Sequence, residues 1–172
     1  MKALFTCLFL GLLALPVRAD LPPQVTYTTP KLVVVFLHPG KYRDIRDQYS
    51  PTDKGELYIL SQLKDALVAD ADHDVPVGCQ LTLTFTDIKL AGDFEPWRGP
   101  MWDAVRIVKD IYYPYFRFNW KLAGPSGDIL KQGSENLQDM DFQMRPVLDL
   151  SDPLRYEKDM LREWMGDHMP RT

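Results

Sequence analysis

The chain has 172 residues, which is enough for one domain with a substantial core and too few for two ordinary domains. Its formal net charge is −4 and it has no basic run, which argues against nucleic-acid binding and against electrostatic docking on an anionic membrane. No cluster of cysteine and histidine has metal-ligand spacing, so we predict neither a metal centre nor a cofactor.

The first nineteen residues predict a cleavable signal peptide. Lys2 gives a positive start, residues 3–15 form an apolar run, and Pro16 breaks this run before a small residue that suits cleavage after Ala19. The run is too short for a transmembrane helix, and no comparable run follows. We therefore expect residues 20–172 to be a soluble protein exported to the periplasm, with no integral membrane segment. Retention of the run as a membrane anchor is the alternative.

The mature chain would have 153 residues and is expected to form a single domain. Loss of Lys2 and Arg18 leaves 18 basic residues against 24 acidic ones, a net charge of −6. Cys79 is then the only cysteine, which excludes an internal disulfide. At the start of an apolar segment, Cys79 is expected to be a small buried hydrophobe rather than a nucleophile or an intermolecular link.

The first predicted strand is residues 31–37, KLVVVFL, an unbroken apolar run typical of a strand buried on both faces. A polar loop leads from it to a helix, for which Ser50 is the expected N-cap, Pro51 the first helical residue and Asp53 the capping-box acid. The helix carries an apolar stripe. Its members are Leu57, Leu60, Leu63 and Leu67.

The apolar pattern of the next predicted strand, residues 80–90, changes phase near Asp87. One extra residue at this point, a β-bulge, would return both apolar sets to the core. The two sets are Leu81, Leu83 and Phe85, followed by Ile88 and Leu90.

Residues 115–122, YFRFNWKL, alternate between apolar and polar side chains and predict a half-buried strand. The turn AGPSGD leads into the returning segment DILKQGSENL, which completes a hairpin. A second helix is predicted after Asp152 as its cap and Pro153 as its first residue. These segments predict an α+β domain, with a mainly antiparallel sheet of about four to five strands and two main helices packed on one face.

The segment GDFEPWRG, residues 92–99, holds the main candidates for binding. Tryptophan rings can stack on a sugar or on a partner's side chain, while charged neighbours orient the ligand by hydrogen bonds. For an exported protein, the expected ligand is another envelope protein or a glycan. The candidate residues are Asp93, Glu95, Trp97, Arg98 and Trp102, with Tyr112 and Tyr113 from the tyrosine-rich segment that follows.

Two other interpretations of this segment remain open. In the first, Trp97 covers the core, Pro96 stiffens the loop, and Arg98 pairs with Asp93 or Glu95. In the second, Asp93 and Glu95 are the acid-base pair of a hydrolase that acts on an envelope polymer, since glycosidases use two carboxylates across a cleft. Two acids this close in sequence are common, so we assign no catalytic residue and favour a non-catalytic protein.

The motif DIRD places Asp44, Arg46 and Asp47 shortly before the first predicted helix. The guanidinium of Arg46 can grip a carboxylate or a phosphate through two parallel hydrogen bonds. We favour the simpler interpretation that these residues form internal ion pairs that hold the loop.

Five segments in order along the chain carry a resemblance to a known family. They are DIRD, TDIKLAGDFEPWR, VRIVKDIYYPYFRFNWKL, ENLQDMDFQMR and DPLRYEKDMLREW. The chain resembles the bacterial family catalogued as domain of unknown function 3016 over about residues 32–165. The resemblance implies an exported bacterial protein. It implies no particular activity and supplies no catalytic residues.

Overall fold

The computed structural model describes residues 21–146 and 149–169, so the predicted signal peptide lies outside the described residues. Within the described residues the chain forms seven strands and two α-helices. The strands are β1 (Gln24–Thr28), β2 (Leu32–Leu37), β3 (Gln80–Lys89), β4 (Asp93–Phe94), β5 (Arg106–Ile107), β6 (Tyr115–Ala123) and β7 (Ile129–Gln138). The helices are α1 (Asp53–Asp74) and α2 (Arg155–His168).

Five strands form the main sheet in the order β1-β2-β3-β6-β7, while β4 and β5 form a separate ribbon. In the main sheet only β2 and β3 are parallel, and the other three pairings are antiparallel. A parallel pair needs a long crossover, and α1 supplies it. The prediction of an α+β domain with a mainly antiparallel sheet and two helices is confirmed.

The register between β3 and β6 shifts between Phe85 and Asp87, which confirms the predicted β-bulge. Thr86 is exposed at this point, and Ile88 returns to the core beyond it. The phase change in the sequence is therefore the signature of a residue that is left out of the pairing.

Both helices cover the same face of the sheet, and Phe85 lies near the middle of the resulting core. Its ring stacks on Phe36 at 5.3 Å and lies 5.0 Å from Phe118, which in turn contacts Trp164 of α2 at 4.9 Å. Helix α1 contributes the buried side chains of Ile59, Leu60, Leu63, Leu67 and Ala71. No helix in the described residues is long and apolar enough to cross a membrane.

The prediction that β2 is buried on both faces is wrong. Val34 is buried on the face that packs against the helices, but Val33 and Val35 point to the other face and are only half-buried, because neither α1 nor α2 covers that side of the sheet. Strand β1 was not predicted, and its Val25 and Tyr27 pack against the core from the sheet edge. Short edge strands interleaved with threonine carry a weak sequence signal.

The N-cap of α1 and its first residue, Asp53, each lie two residues later than predicted. Thr52 is the N-cap, and its hydroxyl accepts a hydrogen bond of 3.3 Å from the Gly55 amide, while Ser50 contacts the Thr52 hydroxyl at 3.1 Å. Leu57 is half-buried, and Ile59 takes its place in the buried stripe. Helix α2 begins at Arg155 rather than at the predicted Pro153, and Asp152 accepts a hydrogen bond of 2.8 Å from the amide of the N-cap residue, Leu154.

Candidate functional site

The Trp97 loop, which we define as residues 95–105, connects β4 to β5. These strands pair Asp93–Phe94 with Arg106–Ile107, so a short ribbon closes the base of the loop. Because the ribbon joins the two ends, the loop is held as a hairpin-like projection from the main sheet rather than as an open connection.

Gly92 brings the chain from β3 into this ribbon. Its φ of +84° is in the left-handed region, and its amide donates a hydrogen bond of 2.8 Å to the Tyr112 carbonyl. A Cβ at this position would lie 2.9 Å from Arg106 Cγ and from the Ile107 carbonyl oxygen. Both the backbone conformation and the close approach therefore require glycine.

Glu95 is a buried carboxylate at the base of the Trp97 loop, with an exposed fraction of 1%. Its Oε1 accepts hydrogen bonds from Lys109 Nζ and from the Tyr112 hydroxyl, the latter at 2.8 Å. Its Oε2 accepts a hydrogen bond from Arg98 Nε. A buried charge is tolerated when it is paired and hydrogen-bonded in this way, so Glu95 anchors the loop from inside.

The contacts of Glu95 determine its protonation. The hydrogen bond from Lys109 is the main cause that lowers the pKa of Glu95 to about 2, and the bonds from Tyr112 and Arg98 add to it. The same carboxylate raises the pKa of Tyr112, mainly because it accepts the hydrogen bond of the protonated hydroxyl and also because a phenolate would face its negative charge. Glu95 is therefore ionised at neutral pH and has no proton to give as a general acid.

Asp93, the other carboxylate of the hydrolase hypothesis, makes a local contact. It is half-buried, and its Oδ1 accepts a hydrogen bond of 2.8 Å from the Phe94 amide. Glu95 is already engaged with three donors. The geometry thus gives both carboxylates anchoring contacts within the protein.

Three apolar side chains of the loop face outward, and we refer to Trp97, Met101 and Trp102 as the Trp97 surface. Their exposed fractions are 73%, 90% and 43%, respectively. They lie on two consecutive 3₁₀ turns, Pro96–Arg98 and Pro100–Trp102. The guanidinium of Arg98 lies 5.7 Å from the Trp102 ring. The expected Arg98–Glu95 pair is present, but Trp97 does not cover the core.

Two tyrosines, Tyr112 and Tyr113, are candidate ligand contacts, but both are half-buried. Tyr112 points its hydroxyl at Glu95, and Tyr113 is half-buried. Lys109 completes the anchor and was missed by the sequence analysis. It lies 14 residues after Glu95, and only the pairing of β4 with β5 brings the two together, so no local pattern could have revealed the contact.

The DIRD motif contributes to the same end of the sheet. Asp44 accepts a hydrogen bond of 2.8 Å from Arg106 Nη1, so the predicted ion pair exists, but its cation comes from β5. Arg46 instead lies 3.6 Å above the Phe94 ring, and it forms no ion pair within the described residues. Asp47 accepts a hydrogen bond of 3.1 Å from a backbone amide two residues later.

The described part of the chain contains no group of three or more His, Cys, Asp or Glu side chains that could hold a metal ion. Cys79 is free and buried, with an exposed fraction of 7%, as expected of a small hydrophobe. The candidate site therefore presents exposed aromatic and thioether side chains on a loop that the ion-paired Glu95 anchors.

Comparison with known proteins gives a family without an activity. No curated protein and no solved structure matches the chain. The resemblance drawn from the sequence motifs is confirmed by a match that covers most of the chain. Residues 30–167 match the family described as "Protein of unknown function (DUF3016)", and the chain belongs to this family.

Proposed function

We propose that this protein is an exported, non-catalytic binding protein that engages another protein of the cell envelope through the Trp97 surface. The observation that carries the proposal is the exposure of Trp97 and Met101 on a loop whose base is held by the buried Glu95. A loop ordered before binding loses less conformational entropy in the complex, which favours affinity.

The composition of the surface favours a protein partner over a glycan. Aromatic residues, methionine and arginine are enriched at protein interfaces, and Trp97, Met101 and Arg98 are of these types. A sugar site would need polar side chains beside the ring to orient the hydroxyl groups. Glu95, the carboxylate closest to Trp97 in sequence, is buried and already paired, whereas Asp103 is exposed next to Trp102. We therefore expect Trp97 to enter an apolar groove of a partner protein.

Export to the periplasm is part of the proposal and rests on the apolar run at residues 3–15 and the small residue at Ala19. Cell fractionation followed by mass spectrometry of the intact protein tests it. We expect the protein in the periplasmic fraction, with Asp20 as its first residue. A protein that begins at Met1, or that stays in the cytoplasm, would contradict this part of the proposal.

Photo-crosslinking in intact cells tests the binding surface. A photoreactive amino acid replaces Met101, and a matched control replaces Val77, which has the same exposed fraction of 90% but lies between α1 and β3. We expect one discrete protein adduct at Met101, its loss when Trp97→Ala is added, and no such adduct at Val77. The partner, once identified and purified, should bind the wild-type protein more tightly than the Trp97→Ala variant.

The other possible crosslinking results would contradict or change the proposal. The same adducts at both positions, or an adduct at Met101 that survives Trp97→Ala, would contradict a specific role for the Trp97 surface. A glycan adduct would replace the protein partner with a sugar. Absence of any adduct in cells would contradict a stable complex.

A further inference from the structure

A second feature, separate from the Trp97 surface, is a cavity of about 380 Å³ between residues 58–62 of α1, the start of α2 and the segment that follows β3. This volume is in the range of small-molecule sites, which is about 300–1,000 Å³. Its floor is apolar, since Ile59, Leu90 and Leu154 line it and are buried. The floor therefore offers an apolar surface of the kind that holds the body of an organic ligand.

The mouth of the cavity is aromatic. Tyr49 and Tyr58 line it with exposed fractions of 83% and 57%, and Tyr156 lines it from α2. The Tyr156 ring is held by Phe142, edge to face at 4.7 Å. Tyrosine rings present an apolar face together with a hydroxyl, which suits contact with a partly polar small molecule.

Three arginines line the cavity, and they differ in how much of their hydrogen-bonding capacity the protein uses. Arg106 donates to Asp44, to the Gly92 carbonyl and to the Arg46 carbonyl. Arg155 donates to the carbonyls of residues 150 and 152 and to the Tyr156 hydroxyl. Both groups are held by the protein and contribute mainly positive charge, although Arg155 Nε is buried without a hydrogen-bond partner in the described part of the chain.

Arg46 is different, because its side chain is exposed and forms no hydrogen bond within the described residues. Its Cζ lies over the Phe94 ring, 3.6 Å from the ring centre, and this contact positions the guanidinium without consuming its N–H donors. A guanidinium held in this way can form two parallel hydrogen bonds with a carboxylate.

The charges around the cavity are not balanced. Three arginines and one carboxylate, Asp47, line it, and Arg106 is paired with Asp44, which leaves a net charge of +1 in a protein whose net charge is −4. Asp152 pairs with Lys158 at 2.6 Å and does not alter this count. Burial raises the pKa of Glu157, beneath the cavity, which favours its neutral form.

We propose that this cavity binds a small organic monocarboxylate, with the carboxylate held by Arg46 and an apolar or aromatic body resting on Ile59 and Leu154. The excess of one positive charge suits a monoanion, and the apolar floor disfavours a purely inorganic ion. The proposal goes beyond the binding of a partner protein and uses different residues, so either can fail without the other.

Nuclear magnetic resonance of the purified, ¹⁵N-labelled protein tests the cavity with a defined probe, 4-phenylbutyrate. Its uncharged analogue 4-phenylbutanol tests the need for the carboxylate, and phenyl phosphate tests the choice of anion. We expect saturable shifts of the amides of Ile59, Ala91 and Arg155 with 4-phenylbutyrate, and much weaker shifts with the other two compounds.

Two variants separate a specific contact from general electrostatics. Arg46→Gln is expected to weaken 4-phenylbutyrate binding about tenfold, with partial rescue by Arg46→Lys, which keeps the charge but loses the two-pronged geometry. Arg117→Gln is the matched control, because Arg117 is also exposed and lies 5.7 Å from the Tyr115 ring, on the opposite face of the sheet. It should leave binding unchanged.

The proposal is overturned if 4-phenylbutyrate gives no saturable shifts, if the alcohol binds equally well, or if Arg46→Gln has no effect. Tighter binding of phenyl phosphate would overturn the assignment to a monocarboxylate. Crosslinking through Met101 should be the same in the Arg46→Gln variant, so the result is independent of the proposed partner protein.

Discussion

The Tyr112 hydroxyl donates a hydrogen bond of 2.8 Å to Oε1 of Glu95, and this contact joins the two sides of the Trp97 loop across 17 residues. Lys109 and Arg98 bind the same carboxylate. The loop that carries the exposed Trp97 is thus anchored at its start by a buried, ion-paired carboxylate. This anchor keeps the apolar side chain exposed and prevents the loop from collapsing onto the core.

The first prediction concerns the anchoring carboxylate, Glu95. Glu95→Gln keeps the size of the side chain but removes the charge and one of the acceptor oxygens, so the ammonium of Lys109 and the guanidinium of Arg98 lose their shared partner. We expect hydrogen exchange of the amides in residues 96–111 to rise by about an order of magnitude while exchange in β3 changes little. Exchange measured by mass spectrometry or nuclear magnetic resonance checks this.

Glu163→Gln is the control, because Glu163 forms an ion pair with Arg145 through a side chain that is 56% exposed. Exposed pairs contribute little to stability. Equal exchange in the loop of both variants would mean that Glu95 does not order the Trp97 loop.

The second prediction is a pH dependence with a defined sign. The folded-state pKa of Glu95 is about 2, below its ordinary value of 4.5. Between these values the unfolded chain binds a proton that the folded chain does not, so stability contributed by Glu95 is present above pH 4.5 and is lost toward pH 2. Urea midpoints should fall more steeply over this window for the wild-type protein than for Glu95→Gln, and parallel curves would contradict the prediction.

The third prediction concerns Glu157, which has the opposite shift. Its Oε1 accepts a hydrogen bond of 2.5 Å from the Ala91 amide, while Oε2 is buried without a partner, and burial raises its pKa. The folded state then holds a proton more tightly than the unfolded state, so the wild-type protein loses stability as the pH rises above 4.5. Glu157→Gln should raise the melting temperature by a few degrees at pH 7 and by less at pH 4.5.

Glu157→Leu separates the charge from the hydrogen bond. It also removes the charge, but it leaves the buried Ala91 amide without an acceptor, which costs about 1–3 kcal/mol. It should therefore be less stable than Glu157→Gln at both pH values. A Glu157→Gln variant that is less stable than wild type at pH 7 would indicate that the carboxylate charge is needed.

The fourth prediction tests the start of α1. A Cβ on Gly55 would lie 1.8 Å from the Ser50 carbonyl oxygen, so Gly55→Ala must displace the backbone before the helix. We expect a loss of about 1–3 kcal/mol in urea unfolding. Gly166→Ala is the matched control in α2, where a Cβ meets no atom within 4 Å, and it should stabilise the protein by about 0.5–1 kcal/mol. Equal effects of the two changes would contradict the close contact at Gly55.

Local patterns were sufficient for most of the strands and helices. The alternation in β6 and the phase change that marks the bulge near Asp87 are properties of neighbouring residues, and both can be read without knowledge of the rest of the chain. The burial of the second face of β2 was predicted wrongly, because burial depends on which other elements pack against a strand. Val33 and Val35 are half-buried because the helices lie on one side of the sheet, and the sequence of a single strand does not indicate on which side helices will pack.

The sequence by itself determined the α+β class, the family and the position of the Trp97 loop, because these depend on residue types at fixed spacing along the chain. Only the tertiary structure decided that Glu95 is buried and Trp97 exposed. It also decided that Lys109 and Tyr112 reach Glu95 and that Arg46 stacks on Phe94 beside a cavity. These contacts join residues that are far apart in sequence, and strand pairing and helix packing bring such residues together only in the folded chain.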